Sequence, residues 1–387
     1  MSISRTTPVA RSWSRIDGID LLRGLSIFFV LMNHVNMRLL GAKVPYTKGL
    51  PSQLVLSLVW NGQFGVQMFF VISGFLITST SLRRWGTPGA ISAKDFYTLR
   101  FARIAPLMLL LLAVLSAMHF LQVPGYVVSP KTGGLGQALL AALTFHINLL
   151  EATRGYLPGN WDILWSLSVE EMFYLFFPVS ALIFRRTQWL LPVLVLFIVA
   201  GPFSRAKAFN PNPVWREYSC LGGMDAIALG CLTAILLSGR RLPQVWIRLN
   251  GWIGAALLIF SLGFSMRAYA WGLGRNGLNM TVLAIGTALV ITAASQSGWS
   301  APRFLSPPLS LGRHSYEIYL THMFTVMGLF AIFVRAGKPM WAVPLLFASV
   351  IVVAGVAGWA VAAGYTEPMN QWIRRRTAPT TGNDLML

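Results

Sequence analysis

Apolar runs long enough to cross a lipid bilayer recur from one end of this chain to the other. A membrane-spanning helix needs about 20 mostly apolar residues, roughly twice the length of a barrel strand. Because the hydrocarbon core offers backbone groups no water, such runs fold as helices. The pattern therefore predicts an all-α fold, a polytopic transmembrane helix bundle. The eleven runs lie at residues 20–40, 62–82, 103–123, 137–150, 166–184, 189–203, 219–238, 251–268, 278–296, 314–335 and 341–364.

The charged residues indicate what surrounds the chain. They make up 11% of the 387 residues, well below the roughly 25% of soluble domains. The net charge is +19, from 31 Lys and Arg against 12 Asp and Glu. In a soluble chain this excess would suggest nucleic acid, but here the cations lie in short loops between apolar runs. That distribution is typical of topology signals and headgroup contacts, so we expect membrane lipids, and no nucleic acid, as partners.

The fourth apolar run, residues 137–150, decides the topology. With about 14 residues it is shorter than a span requires. If it stays outside, ten spans remain, both termini are cytoplasmic, and 18 Lys and Arg lie inside against 12 outside. If it crossed, Arg185–Arg186 and Arg374–Arg376 would be translocated, against the positive-inside rule. We therefore predict one non-spanning helix in an outer loop at 124–165.

This topology divides the chain into three parts. We expect a cytoplasmic N-terminal segment at 1–19, a transmembrane domain at 20–364 and a cytoplasmic C-terminal tail at 365–387. The first apolar run carries no small-residue cleavage site, so it is interpreted as a retained span and not as a signal peptide. The expected location is the plasma membrane, as the inner membrane of a bacterium.

Ionisable residues inside the spans are the first candidates for function, because they are costly in lipid. Arg23 and His34 are eleven residues apart in the first span, which on an α-helix is about three turns plus 20° and about 16 Å. Both side chains therefore point the same way, with His34 nearer the outside. The alternative is that Arg23 reaches the headgroups and His34 bonds a neighbouring carbonyl.

Run 166–184 supplies an acid at a depth comparable with His34. It carries Glu170 and Glu171, which lie about 100° apart on a helix, so only one of them faces a given pocket. A carboxylate beside an imidazole can orient the ring for general-base activation of a hydroxyl. We predict His34 and Glu170 as a catalytic pair. The alternative is a glutamate wetted by the outer solvent.

Other polar positions are less specific. Arg100 and Arg103 share a helical face at the inner mouth of run 103–123 and suit bidentate phosphate binding, although positive-inside anchoring is the alternative. Tyr319 and His322 belong to a polar stripe in run 314–335, where a packing hydrogen bond explains His322 as well as catalysis does.

Asp225 is isolated within its span and is open to interpretation as a structural counter-ion. The histidines are scattered, without the spacing of a metal site. The chain also has no phosphate loop and no GxSxG elbow. We therefore expect no metal and no bound cofactor.

Together these residues resemble the acyltransferase family 3 membrane proteins. Two positions depart from the family pattern: a position that is usually acidic is Gln67, and Gly222–Met224 stand where a basic residue often precedes Asp225. The matching segments follow one another along the whole chain. They are Ile19–Gly24 with Arg23-x10-His34, Gly65–Ile77, Arg100-x-x-Arg103, Trp165–Tyr174 and Leu311–His322.

The resemblance implies a ten-helix core that transfers an acyl group, which we expect to be acetyl, from acyl-CoA to a hydroxyl of an extracytoplasmic glycan or lipid-linked sugar. It implies that Arg23 and His34 are essential, that Arg23, Arg100 and Arg103 bind the donor, and that Glu170 joins the site. Further candidates for the pocket are Ser73, Ser168, Glu171, Tyr174, Tyr319, His322 and Asp225.

The expected mechanism brings the two substrates from opposite sides. The phosphates of acyl-CoA bind Arg100 and Arg103, the thioester reaches past Arg23, and the acceptor hydroxyl gives its proton to His34. Two other functions stay open from sequence: a proton-coupled secondary transporter, and an acyl relay to a separate extracytoplasmic partner. A transporter predicts matching Gly/Pro-broken helices in two halves, which the sequence does not display.

Overall fold

The computed structural model describes residues 15–377, and these contain helices and connecting segments but no β-strand. The predicted N-terminal segment and tail therefore lie partly outside the described residues, at 1–14 and 378–387. In chain order the α-helices are α1 (Asp17–Gly41), α2 (Ser52–Val59), α3 (Gly62–Trp85), α4 (Ala93–Phe120), α5 (Gly134–Leu143), α6 (Ile147–Arg154), α7 (Gly159–Asp162), α8 (Leu164–Phe184), α9 (Thr187–Arg205), α10 (Pro213–Tyr218), α11 (Cys220–Leu237), α12 (Gln244–Gly263), α13 (Ser265–Ala270), α14 (Leu278–Ser297), α15 (Ser306–Arg313), α16 (Ser315–Arg335), α17 (Val343–Val361) and α18 (Glu367–Thr377). Short 3₁₀ turns lie at Pro88–Ala90, Pro130–Thr132, Arg303–Leu305 and Met340–Ala342.

Ten regions of the described chain are helical, long and apolar enough to cross a membrane, which confirms the predicted bundle. Their main helices are α1, α3, α4, α8, α9, α11, α12, α14, α16 and α17. The side chains they turn outward are apolar: Leu196, Ile259 and Val352 are 65%, 61% and 63% exposed. A continuous apolar surface of this kind is a liability in water and suits lipid. The chain is a multi-pass membrane protein.

The spans alternate in direction, so ten crossings return the chain to the end at which α1 begins. We call this end of the bundle the basic end, because Arg84, Arg100 and Arg103 lie there. The opposite end carries residues 121–163 and is called the loop end. Both names describe the molecule alone and leave open which end faces the cytoplasm.

The segment at the loop end contains three short helices where one was predicted. α5 has 10 residues and α6 has 8, and helices of this length cannot cross a bilayer. The expected single helix is interrupted at Phe145, whose φ of +56° reverses the backbone. The turn lets the Ile147 N–H donate to Ser168 Oγ at 3.3 Å, which ties the loop to α8.

We expect cysteine labelling to place both sides of this loop on one face of the membrane. In a background lacking Cys220 and Cys231, an impermeant maleimide added to right-side-out vesicles should modify Lys131→Cys and Arg154→Cys, because both positions are exposed at the loop end. The control is Arg240→Cys, exposed at the basic end, which should react only in inverted vesicles. Opposite labelling of positions 131 and 154 would contradict the ten-span topology.

Two glycines let α3 and α11 approach closely. Gly74 of α3 faces the backbone of Ile227, and Gly230 of α11 faces the backbone of Val71, so a Cβ at either position would overlap a carbonyl oxygen. Small residues at such contacts are the usual basis of helix association in lipid, where apolar burial gives little driving force. The contact fixes α3, which brings Ser73 to the candidate site.

The chain beyond the tenth span stays attached to the bundle. A π-helical segment, Ala362–Thr366, leads directly into α18, which packs against α4. Tyr365 Oη donates to the Pro106 carbonyl oxygen at 3.2 Å and ties this segment to α4. The boundary predicted at 364 is therefore not a break in the helical structure, and α18 brings Arg374 to the mouth of α4.

Candidate active site

A cavity of about 330 Å³ opens inside the bundle towards the basic end. Its walls come from α1, α3, α4, α8 and α16, and α18 lies at its mouth. The deeper walls are mostly apolar, with Val66, Phe69 and Leu76 contributed by α3. The polar lining residues are Arg23, Ser73, Thr80, Arg100, Arg103, Ser166, Glu170, Tyr174, Ser315, Tyr316, Tyr319 and Arg374.

The charges of this lining are four arginines, Arg23, Arg100, Arg103 and Arg374, against one acid, Glu170. Arg23 donates to Ser315 Oγ at 3.1 Å and lies 3.9 Å from Asp20. Within residues 15–377, the other three arginines have no carboxylate within 4.0 Å. Guanidinium groups stay protonated in proteins and are costly within a membrane. The cavity is therefore suited to an anionic ligand.

Arg100 is held by an aromatic ring and not by an acid. Its Cζ lies 4.8 Å from the centroid of the Tyr174 ring, a distance typical of cation–π attraction. Tyr174 Oη in turn donates to Glu170 Oε2 at 3.3 Å and lies 2.5 Å from Ser73 Oγ. The Tyr174 ring covers one face of the Arg100 guanidinium, so the opposite face is available to a ligand. Ser73 and Tyr174 thus line the cavity and support Arg100.

The two adjacent glutamates of α8 point in different directions. Glu170 lines the cavity, close to Arg100, Arg103 and Arg23. Glu171 is absent from the lining, and its Oε1 is buried without a hydrogen-bond partner among the described residues. The separation follows from the 100° step between successive helical residues. Glu170 is therefore the member of the pair that a ligand in the cavity can meet.

His34 and His322 lie together one turn beyond the end of the cavity, towards the loop end. Their ring centroids are 5.0 Å apart with an interplanar angle of 50°. His34 is partly exposed and makes no side-chain hydrogen bond to another residue in the described range, whereas His322 is fully buried. Of the two histidines, His34 is thus the one with an exposed surface.

The structure does not bring His34 and Glu170 into contact, so the predicted pair is not observed. No hydrogen bond joins them, and Glu170 bonds Tyr174 at the level of Arg23. The sequence interpretation started this span near residue 166, but the membrane-length helical region starts at Gly159. Glu170 is therefore about three helical turns from the loop end. It lies farther from that end than expected, and farther than the two histidines.

Tyr319 separates the cavity from the two histidines. Its ring lines the cavity and lies 5.8 Å from the His322 ring. Its Oη lies 2.6 Å from Ser166 Oγ and donates to the Ile163 carbonyl oxygen at 3.0 Å. These two bonds join α16 to the start of α8 across the top of the cavity. A ligand must pass this side chain to reach His34.

On the loop-end side of the two histidines lie Gly159, Arg38 and the buried Glu151. Gly159 packs against Arg38 and Met323, which follow His34 and His322 on their own helices. Glu151 of α6 is fully buried and accepts from the Leu157 N–H at 2.9 Å. Burial, and then the nearby Asp162 charge, raise the pKa of Glu151 well above its usual range. This shift favours the neutral carboxyl group, which is less costly to bury than the carboxylate.

Two predicted pocket residues lie elsewhere. Ser168 is buried, accepts from Ile147 and donates to the Leu164 carbonyl oxygen at 3.1 Å, so its role is to join the loop to α8. Asp225 is fully buried and forms a bidentate ion pair with Arg205, with distances of 2.8 and 2.7 Å. Asp225 therefore lies outside the cavity lining, and its pairing agrees with the alternative interpretation as a structural counter-ion.

The Asp225 pair also explains both departures from the family pattern. Gln67 Nε2 donates to Asp225 Oδ1 at 3.0 Å, so an acid at position 67 would set two carboxylates against each other. The cation comes from Arg205 at the end of α9, not from a residue preceding Asp225. Thr281 Oγ1 donates to Asp225 Oδ2 at 2.8 Å and completes the network.

Sequence reasoning did not select five polar lining residues as site candidates: Ser166, Ser315, Tyr316, Thr80 and Arg374. The first three stand inside the matched segments, where neighbouring positions drew attention. Arg374 was counted only as a topology charge, and its only signal was membership of the Arg374–Arg376 cluster. Among residues 15–377 no group of three His, Cys, Asp or Glu side chains is placed to hold a metal ion.

The fold and the site define a class, namely a multi-pass membrane protein with an arginine-lined cavity at one end and a partly exposed histidine beyond it. A family model described as an acyltransferase domain matches residues 16–361. The chain belongs to the acyltransferase family 3. No solved structure matches it significantly.

The curated relatives include several O-acetyltransferases. The peptidoglycan O-acetyltransferase OatA of Listeria monocytogenes is 27% identical over 345 residues, which cover 83% of this chain and 50% of the relative. A putative O-acetyltransferase of Staphylococcus aureus strain COL is 24% identical over 344 residues, 84% of this chain and 53% of the relative. The O-acetyltransferase OatA of S. aureus strain NCTC 8325 is 23% identical over 341 residues, with the same two shares. The chain spans about half the length of the curated relatives it matches.

Proposed function

We propose that this chain is a plasma-membrane O-acetyltransferase that takes acetyl from acetyl-CoA at the basic end and transfers it to a carbohydrate hydroxyl at the loop end. The observation that carries the proposal is the cavity with four arginines and one glutamate. The proposed orientation of the protein in the membrane is based on charge, because the basic end collects the cations that the positive-inside rule assigns to the cytoplasm. The names of the relatives support acetyl as the group and a surface glycan as the acceptor.

The donor fits the cavity by its chemistry. Coenzyme A carries phosphates at one end and a long, weakly polar arm that ends in the thioester. Arg100, Arg103 and Arg374 at the mouth can bind phosphate oxygens with charge-assisted hydrogen bonds. The apolar walls from α3 suit the arm, which extends past Arg23 towards Tyr319. Glu170 limits the positive charge of the site and holds Tyr174 against Arg100.

The transfer step needs a base and an open path. When Tyr319 moves aside, the thioester carbonyl reaches His34, where the acceptor hydroxyl arrives from the loop end. His34 takes the hydroxyl proton, the new ester C–O bond forms and the C–S bond of the thioester breaks. The CoA thiolate then receives the proton from His34. A positioned base of this kind contributes about 10²- to 10⁴-fold to the rate.

The direct experiment uses the purified protein in liposomes with radiolabelled acetyl-CoA on the basic-end side. Soluble peptidoglycan fragments, and separately a lipid-linked sugar, are supplied on the other side. The expected product is an alkali-labile acetyl ester on one of these acceptors, with release of free CoA. Acetylated protein without product would indicate a relay to a partner. Absence of both acetylated species would overturn the proposal and favour a transporter.

Donor affinity should depend on the arginines of the mouth. A charge-assisted hydrogen bond contributes about 1.5–3 kcal/mol, so Arg100→Ala, Arg103→Ala and Arg374→Ala are each expected to raise the KM for acetyl-CoA about ten- to a hundredfold. The KM for the acceptor should stay unchanged, because it binds at the other end. Steady-state kinetics with each substrate varied separately measures both constants.

Arg375 offers the matched control for Arg374. It is the next residue on α18, carries the same charge and is exposed like Arg374, but it does not line the cavity. Arg375→Ala should leave the KM for acetyl-CoA within about twofold of wild type, since this side chain is not placed to contact a donor in the cavity. Equal effects at positions 374 and 375 would mean that α18 acts through general charge and not through a specific contact.

A further inference from the structure

Backbone carbonyl groups determine which ring nitrogen of His322, the neighbour of His34, carries the hydrogen. His322 Nδ1 lies 2.7 Å from the Tyr319 carbonyl oxygen and 3.2 Å from that of Ile318. Carbonyl oxygens only accept hydrogen bonds, so this nitrogen must carry the hydrogen. In a neutral imidazole the other nitrogen, Nε2, is then an acceptor with a free lone pair.

That lone pair has no donor in the described part of the chain. His322 Nε2 is buried and makes no hydrogen bond there, which is an unfavourable state for a polar atom. The nearest ring is His34, at a centroid distance of 5.0 Å. An N–H···N bond of about 3 Å between two imidazole edges gives a centroid distance close to this value. The separation of the two rings therefore allows a hydrogen bond between them.

We propose that His322 is the positioning residue for His34, accepting the N–H of the His34 nitrogen that faces it. This bond fixes His34 in one tautomer, in which the opposite nitrogen is unprotonated and faces the acceptor hydroxyl. His322 is fully buried and touches no substrate, so it acts only through His34. The proposal rests on the proposed function, in which His34 is the base, and it replaces Glu170 in the orienting role.

The test compares two replacements of His322. His322→Phe keeps an aromatic ring but removes the acceptor, whereas His322→Gln places an amide oxygen close to the position of Nε2. We expect His322→Phe to lower kcat about a hundredfold or more with an unchanged KM for acetyl-CoA, since loss of the correct tautomer removes the base. His322→Gln should recover kcat to within about tenfold of wild type.

Folding is separated from positioning by the thermal unfolding midpoint of each variant. A purely structural role predicts that kcat follows this midpoint in both variants and that glutamine, which is polar in an apolar setting, is the worse replacement. A kcat of His322→Phe close to that of wild type would overturn the proposal. So would equal loss of kcat in both variants.

A second measurement does not depend on activity. Nitrogen-15 NMR of histidine-labelled protein in liposomes reports the tautomer of each ring, and the chain has only five histidines, so single variants assign the signals. We expect one tautomer for His34 in wild type and a mixture in His322→Phe. An unchanged His34 signal would refute the pairing. If wild type showed no acetyl transfer, the proposed function would fail, while this signal would still decide the pairing.

Discussion

A His34→Gln variant is expected to insert and fold normally and to lose acetyl transfer by about 10²- to 10⁴-fold. A sugar hydroxyl has a pKa far above 7, so its attack on a thioester needs a group that takes the proton. Glutamine keeps the hydrogen-bonding capacity of the site but cannot accept a proton. Initial rates with saturating acetyl-CoA, on protein quantified by size-exclusion chromatography, measure the loss.

His146 provides the matched control for this variant. It is also half-buried, but it lies in the loop between α5 and α6, where Nδ1 is 2.6 Å from Thr144 Oγ1. His146→Gln should keep transfer within about twofold of wild type. Near-normal transfer by His34→Gln, together with an inactive His322→Gln, would show that the base had been assigned to the wrong helix.

The largest loss of stability is expected from Arg205→Met. Arg205 and Asp225 are 8% and 0% exposed, and the arginine also donates to Thr281 Oγ1 at 2.7 Å and to the carbonyl oxygen of Gly277 at 3.1 Å. Its removal leaves a buried carboxylate without its counter-ion, which costs about 3–5 kcal/mol. The free energy of unfolding in detergent should fall by that amount, with lower yield of folded protein.

Two further variants distinguish the stability cost of breaking a buried ion pair from that of breaking a more exposed one. The double variant Arg205→Met/Asp225→Leu should be more stable than Arg205→Met, because no unpaired charge remains. Arg313, which is 36% exposed and 3.2 Å from both Asp17 and Asp20, represents a pair whose arginine reaches the solvent. Arg313→Met should cost no more than about 1 kcal/mol. Equal costs for Arg205→Met and Arg313→Met would contradict the structural role assigned to Asp225.

The spans could be predicted because each one must satisfy the requirements of the lipid environment by itself. Every span must be apolar over its own length, so a local pattern is sufficient, and the short run at 137–150 could be excluded by its length together with the distribution of charge. Its internal break could not be predicted, since Phe145 adopts a positive φ that its residue type disfavours. The bond from Ile147 to Ser168 accompanies that turn, and it joins parts of the chain that are distant in sequence.

The site was predictable where one helix sets the geometry. The common face of Arg100 and Arg103 and the divergence of Glu170 and Glu171 follow from helical spacing, and the structure places all but Glu171 around one cavity. The depth of Glu170 depends on how far α7 and α8 extend beyond the apolar run, and hydropathy does not report this extension. A register error of about two turns is enough to pair the wrong residues.

Partners that come from distant segments left no signal in the sequence. Arg205 lies at the end of α9, where it was interpreted as one more outer charge, yet it neutralises Asp225 on α11. Arg374 follows a boundary that hydropathy sets at 364, although the helix continues through it. In both cases the local chemistry is ambiguous, and tertiary packing decides which residue an arginine meets.

The two hydrogen bonds of Tyr319, to Ser166 and Ile163, also bear on the energetics of the cell. An energised membrane holds about 2.3 kcal/mol for each elementary charge per 100 mV, and a continuous water path through the bundle would dissipate that gradient. The cavity stops at the Tyr319 ring, and the cations lining its wall repel protons and metal ions alike. If the chain transfers acetyl across the bilayer as proposed, it must also keep the bilayer electrically insulated, and the closed end of the cavity at Tyr319 does this. Tyr319→Ala should accordingly make energised vesicles leak protons, which a pH-sensitive dye inside them would record.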